Sequence, residues 1–200
     1  MFNLVVASYL VGSVPFDYLW TKIWRGFDIR RIASKNVGTT NVMLHVGVVP
    51  GVLTMLGDVL KGGVAAILGS FSPVEWLRYV LPSVAIAGHN WPIWLKFKGG
   101  GGLATFIGSC LVLREIRGAI IGLIVWGISS LIFKDHDRSA LMACVLTPLF
   151  MWISGNSLGS ITFYTSSGLM IGARRIQSIL EKRKALHQGL STRSANQTAA

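Results

Sequence analysis

Three groups of residues in this chain have the types and spacing for chemistry on an anion. The first is Lys96-Phe97-Lys98-Gly99-Gly100-Gly101-Gly102. Consecutive glycines let several backbone N–H groups approach one anion, and neighbouring lysines supply opposing charge, which together make a phosphate site. The second is Asp58 and Lys61, whose spacing puts them on one face of a helix, where they can pair. Both fall inside an apolar stretch, where an ionisable group is costly and turns toward the protein interior. This pair reads equally as a packing-fixing ion pair or as buried positive charge acting on a substrate. The third follows Arg30-Arg31 and holds Ser34, Asn36, Thr39, Thr40 and Asn41. Its hydroxyls and amides can donate to phosphate or sugar-like oxygens, although such clusters also make ordinary turns and caps. His89, shortly before Pro92, reads as a hydrogen-bonding helper or a helix-end residue.

Several other chemistries find no pattern to support them. The four histidines and two cysteines form no zinc spacing. There is no Gly-x-Ser-x-Gly elbow, and the glycine run is not followed by Lys-Ser/Thr as a P-loop requires. The fifth positions after the histidines are Pro50, Trp94, Leu141 and Thr192, so a His-x4-Asp acyltransferase motif is also missing. No metal or cofactor is therefore expected.

The elements that must carry these groups are membrane helices. The chain is 52% hydrophobic and 14% charged, against ~25% charged in soluble domains. Its 23 glycines and 7 tryptophans fit spanning helices with aromatic interfaces. The net charge of +11 lies between apolar runs, not on one polar face, so nucleic acid is not an expected partner and membrane lipid is. Cys110 and Cys144 sit in apolar runs and read as packing residues. The first apolar run lacks a basic leader and a cleavage site. The fold class expected is an all-α polytopic membrane protein with about seven transmembrane helices, at roughly 2–20, 51–71, 76–95, 99–113, 118–133, 139–154 and 158–173. The last four are shorter than the ~20 residues of a full crossing, so they tilt, thin the bilayer or re-enter. Gly12-Ser13-Val14-Pro15 should kink the first or loosen its backbone ladder. Residues 1–185 form one domain, and a polar tail over 186–200 is expected to be disordered.

Charge orients the bundle. With the N-terminus outside, fifteen lysines and arginines fall in inner segments and only Arg78, Arg114 and Arg117 in outer ones, Lys61 being intramembrane. The 21–50 loop, the glycine loop and the C-terminus then share the cytoplasmic side.

These pieces resemble the bacterial acyl-phosphate:glycerol-3-phosphate acyltransferase (PlsY) family. The resemblance is carried by Gly12-Ser13-Val14-Pro15-Phe16, Asp28-Ile29-Arg30, Ser34, Asn36-Val37-Gly38-Thr39-Thr40-Asn41-Val42, Asp58-Val59-Leu60-Lys61-Gly62, Gly88-His89 with Pro92, and Phe97-Lys98-Gly99-Gly100 with Gly102 and Ala104-Thr105. They occur in the family's order through roughly residue 110. The resemblance implies a seven-span, N-out protein of the bacterial inner (plasma) membrane. It implies transfer of a fatty acyl group from acyl phosphate to glycerol 3-phosphate, giving lysophosphatidic acid and phosphate, with the acyl-phosphate-producing enzyme as a partner. Catalytic roles then go to Ser34, Lys61 and His89. Asn36, Thr40, Asn41, Lys98 and Gly99, Gly100, Gly101 and Gly102 bind substrate phosphate, and Asp58 orients Lys61. Since the donor is an activated mixed anhydride, no covalent nucleophile is needed, and a substrate phosphate can take the hydroxyl proton.

The chain departs from the family pattern at defined points. Gly101 stands where the family usually has a second lysine and Leu44 where it has an arginine; Ala33 and Lys35 replace glycines beside the serine. Near the C-terminus Gly172 falls on the expected histidine and Arg175 on the expected asparagine. These departures admit an alternative: a catalytically silent relative that binds an anionic lipid or phosphate, or partners an active paralogue. A transporter is a third reading, weakened by the lack of a half-repeat.

Overall fold

The computed structural model describes the backbone of residues 1–31 and 38–198. Among these residues there are nine α-helices and no strand: α1 (Phe2–Ser13), α2 (Phe16–Arg25), α3 (Thr39–His45), α4 (Val48–Ser70), α5 (Glu75–Asn90), α6 (Leu103–Leu113), α7 (Ile116–Phe133), α8 (His136–Ile153) and α9 (Leu158–Thr198). Each of the seven expected apolar segments is helical, with shifted ends. Phe2–Arg25, Val48–Ser70 and Ile116–Phe133 are long and apolar enough to cross a membrane.

The shifts have local causes. Pro15 has no N–H and its ring opposes a helical Val14, so the first segment splits into α1 and α2. The third segment stops at Asn90, because Trp91 precedes Pro92. The fourth starts only at Leu103, since the glycine run has little helix propensity. A short helix, α3, forms within the loop expected between the first two spans. α9 continues to Thr198, through the tail expected to lack structure. Its Glu, Lys, Arg, Ala, Leu and Gln are good helix formers even after the apolar pattern ends.

Burial is arranged for lipid, with large apolar side chains outside and small or polar ones within. Leu131, Leu158 and Ile132 are exposed, whereas Ser8, Thr54, Ser109 and Ser167 are completely buried. Lipid tails are as apolar as leucine, so helices associate through close approach and interhelical hydrogen bonds. Along α4 and α6, Gly62 lies against the Thr105 carbonyl and Gly108 against the Val59 carbonyl, with no room for a Cβ at either. Ser109 Oγ donates to the Gly62 carbonyl across the same interface at 3.1 Å. Between α5 and α9, Ser83 Oγ meets the hydroxyls of Ser166 and Ser167 at 2.7 and 2.9 Å.

The helix ends sort into two sets. At one end Arg25 binds the Val46 carbonyl, Arg30 reaches the Leu95 carbonyl, Trp91 Nε1 donates to Gln177 and Asp137 meets Lys182. This end gathers the α2–α4 connection, the glycine loop, the α7–α8 turn and the middle of α9. At the other, Glu115 accepts from Ser160 and Tyr164, and Gly69 packs on Arg78.

Candidate functional site

The glycine loop is built from the end of α5. After Pro92 comes a single 3₁₀ turn, Ile93–Leu95. Lys96 and Phe97 then adopt left-handed φ values of 54° and 61°, and the chain doubles back. On the return, the N–H groups of Gly99 and Gly100 donate to the Asn90 and His89 carbonyls, both at 3.1 Å. A side chain at Gly99 would overlap the His89 carbonyl, so this close approach requires glycine. The expectation that the glycine amides as a set face an anion therefore needs correcting, because two of them are taken by the orphan carbonyls of a helix end. The amides that remain are those of Gly101 and Gly102 and of the first turn of α6, whose N-terminus also carries the positive end of the helix dipole. Gly102, at φ 80°, caps that helix.

A groove of about 900 Å³ opens at this point. Its polar end is lined by Asn41, Asp58, His89, Gly99–Gly102, Arg174, Arg175 and Ser178. Its other wall is apolar, made by Met55 and Val59 of α4 and by Leu103, Ile107 and Leu111 of α6. The α6 residues recur every fourth position, forming one stripe along the helix. The groove thus joins a polar, cation-bearing end to an apolar flank.

Beneath the groove lies a buried charge cluster. Lys61 Nζ is 2.7 Å from Asp58 Oδ1, and His89 Nδ1 is 3.4 Å from the same oxygen. All three side chains are buried. Lys61 also donates to the Val14 carbonyl at 3.1 Å. That carbonyl is open to it because the helix breaks at Pro15. Lys61 therefore points away from the groove, toward a small cavity that it shares with Asp17, His89, Gly99 and Gly100. Asp58 and His89 line both the cluster and the groove.

α9 supplies two arginines. Arg174 Nε and NH2 donate to the Gly100 and Gly99 carbonyls at 3.2 and 3.0 Å, pinning the loop from its acceptor side. Arg175 NH1 donates to Asp137 Oδ1 at 3.3 Å, while Lys182 Nζ holds the other oxygen at 2.5 Å. Asp137 is presented by the first turn of α8, which Asp135 caps. The amides of Arg138 and Asp137 hold the Asp135 carboxyl below the usual carboxylate range.

Of the residues expected from sequence, Asp58, His89, Thr40, Asn41 and Gly99–Gly102 meet at the groove, and Lys61 sits just behind it. Ser34, Asn36 and Lys35 lie outside the described residues. Lys98 is exposed and is not among the lining residues. Leu44 does line the groove, so the arginine-to-leucine departure falls at the site itself. Sequence reasoning passes over Asp17, which is buried beside Lys61; its one signal is an acid inside an apolar span. It also passes over Asn90, which ties α5 to the Met170 carbonyl at 2.9 Å.

Comparison with known proteins gives a consistent result. The family model described as glycerol-3-phosphate acyltransferase matches residues 2–183. The chain is 38% identical over 156 residues to a glycerol-3-phosphate acyltransferase of Bartonella quintana (strain Toulouse), covering 76% of this chain and 74% of that one. It is 36% identical over 173 residues to one from Bradyrhizobium sp. (strain BTAi1 / ATCC BAA-1182), covering 86% of each. Among solved structures, the fold is similar to the crystal structure of PlsY (YgiH), an integral membrane glycerol 3-phosphate acyltransferase, in its glycerol 3-phosphate form. The TM-score is 0.73, with 28% identity and 92% of each chain covered. The lysophosphatidic acid form of that protein gives 0.70 at 27% identity, again over 92% of each chain. With a helical membrane bundle, a groove that is polar at one end and apolar along its flank, and these relatives in agreement, the chain belongs to the glycerol-3-phosphate acyltransferase family.

Proposed function

We propose that this protein transfers a fatty acyl group from an acyl phosphate to the 1-hydroxyl of glycerol 3-phosphate. The hydroxyl oxygen attacks the acyl carbonyl carbon, the bond from that carbon to the phosphate oxygen breaks, and lysophosphatidic acid and inorganic phosphate leave. The hydroxyl proton passes to a substrate phosphate oxygen. Because the anhydride is already activated, the protein's task is to hold two anions together, orient the hydroxyl and stabilise charge on the departing phosphate. In this reading the α6 N-terminus and the loop bind phosphate, Thr40 and Asn41 face the substrate, and His89, oriented by Asp58, hydrogen-bonds the reacting groups. Ser34 and Asn36 orient the acceptor. The acyl chain follows the Leu103–Ile107–Leu111 stripe.

The observation that carries this reading is the single groove with a polar, cation-bearing end and an apolar flank, in a chain of this family. The protein acts in the bacterial inner membrane, with its N-terminus outside and the groove's polar end toward the cytoplasm. An enzyme that makes acyl phosphate works beside it. The test is turnover by the purified protein in detergent, with acyl phosphate and glycerol 3-phosphate supplied and both phosphate and lysophosphatidate measured. Product above a protein-free control is expected. A complete lack of product would leave the silent, anion-binding reading that Leu44 and Gly101 invite.

A further inference from the structure

Two of the chain's departures from its family pattern touch each other. Gly101 has no side chain, and the three atoms that a Cβ there would meet first all belong to Arg175, beginning with NH2 at 2.9 Å. Gly101 does not have the left-handed backbone that demands glycine. Its bareness therefore makes room for a guanidinium and serves no turn. A side chain at position 101 would meet the tip of the Arg175 guanidinium, which would have to move off Gly101 to admit it.

The charge around Arg175 is unbalanced in a useful direction. Asp137 is shared by Arg175 and Lys182, so one carboxylate meets two cations and positive charge is left over. Arg175 Nε is buried without a hydrogen-bond partner among the described residues. The fork is anchored through NH1 on Asp137 while its NH2 edge faces Gly101, and a planar fork held in this way is suited to a phosphate. Its neighbour Arg174 is used differently, on the Gly99 and Gly100 carbonyls, which fixes the loop relative to α9.

We propose that Arg175 is a substrate-binding residue, the cation that meets a substrate phosphate at the start of α6, supplied from α9 across Gly101 and not from the glycine loop. Asp137 and Lys182 position it. This rests on the acyltransferase reading for which phosphate is bound, the acceptor's or the donor's. It does not rest on that reading for the binding itself.

The experiment compares wild type with Arg175→Gln, Arg175→Lys, Gly101→Lys and the double variant Gly101→Lys/Arg175→Gln, all purified in detergent and checked for monodispersity. Glycerol 3-phosphate and inorganic phosphate are titrated calorimetrically, and KM is measured for each substrate. Arg175→Gln should weaken binding of one phosphate substrate by about 10- to 100-fold, the range for one charge-assisted contact. The substrate whose KM rises identifies the phosphate held. Arg175→Lys should recover part of the loss. Gly101→Lys alone should bind worse than wild type, whereas the double variant should bind about 10-fold or more better than Arg175→Gln, because the space and the charge have been exchanged. Unchanged binding of both substrates in Arg175→Gln overturns the proposal. So does a loss that neither Arg175→Lys nor the double variant recovers, since the residue is then only structural. Wild type that binds through Arg175 without turnover would sink the acyltransferase reading and keep this one.

Discussion

Asp58 is the residue on which two others depend. Its Oδ1 takes both Lys61 and His89, and all three side chains are almost wholly enclosed. Removing one partner of a buried pair strands the other charge, at a cost of about 3–5 kcal/mol. In Asp58→Ala, Lys61 keeps the Val14 carbonyl as its hydrogen-bond acceptor but loses its ion-pair partner. Unfolding by SDS in mixed micelles should show a loss of stability of that order, and Asp58→Ala/Lys61→Met should regain most of it. A single variant as stable as wild type would contradict the pairing. The double variant also separates the two roles that spacing leaves open. We expect it to fold yet lose about 100-fold or more in kcat, because His89 no longer has its orienting carboxylate. Near-normal kcat would make the pair a packing device alone. The Asp58–Lys61 half of this cluster was legible in the sequence, since residues three apart on a helix must be neighbours. The His89 half was not, because it depends on how α5 lies beside α4.

At the scale of elements, the α4–α6 contact is the one the groove most needs, as these helices supply its apolar wall. Gly62 and Gly108 each face a carbonyl of the opposite helix with no space for a methyl group. Gly62→Ala and Gly108→Ala should each cost about 1–3 kcal/mol through forced separation of the helices. The groove should widen, with a higher KM for acyl phosphate. Gly127, on α7, has nothing within 4 Å of a built Cβ, so Gly127→Ala is the control. It should be neutral or slightly stabilising from helix propensity. Equal behaviour of all three in thermal unfolding would refute close packing as the function of these glycines. Disruption governed by local chemistry was legible in advance as a kink at Pro15, and the full division into α1 and α2 goes further than that. The employment of the Gly99 and Gly100 amides was not. It is set by which carbonyls α5 leaves open and by the left-handed turn at Lys96 and Phe97, which few sequences announce. The same turn leaves Lys98 exposed, though its position beside the glycines suggested a ligand contact.

For the whole molecule, the decisive property is sidedness. The charge count in the sequence puts the 21–50 loop, the glycine loop, the α7–α8 turn and the α9 arginines on one side. The contacts of Arg30 with Leu95, Arg174 with Gly99 and Gly100, and Lys182 with Asp137 independently gather those segments at one end of the bundle. The orientation proposed from the positive-inside rule puts the groove end toward the cytoplasm, and it can be tested with single cysteines. Arg138 is exposed at the groove end and Arg117 is exposed at the opposite end. The native Cys110 is buried and Cys144 half-buried within the bundle, so wild type sets a low background. In intact cells an impermeant maleimide should label Arg117→Cys readily and Arg138→Cys only after permeabilisation. Equal labelling of both would mean that these helix ends do not lie on opposite sides of a bilayer. The reverse pattern would turn the groove's polar end away from the compartment where phosphorylated metabolites are made. An acceptor such as glycerol 3-phosphate would then have to cross the membrane before it could be acylated. The orientation thus bears on function as directly as any side chain in the groove does.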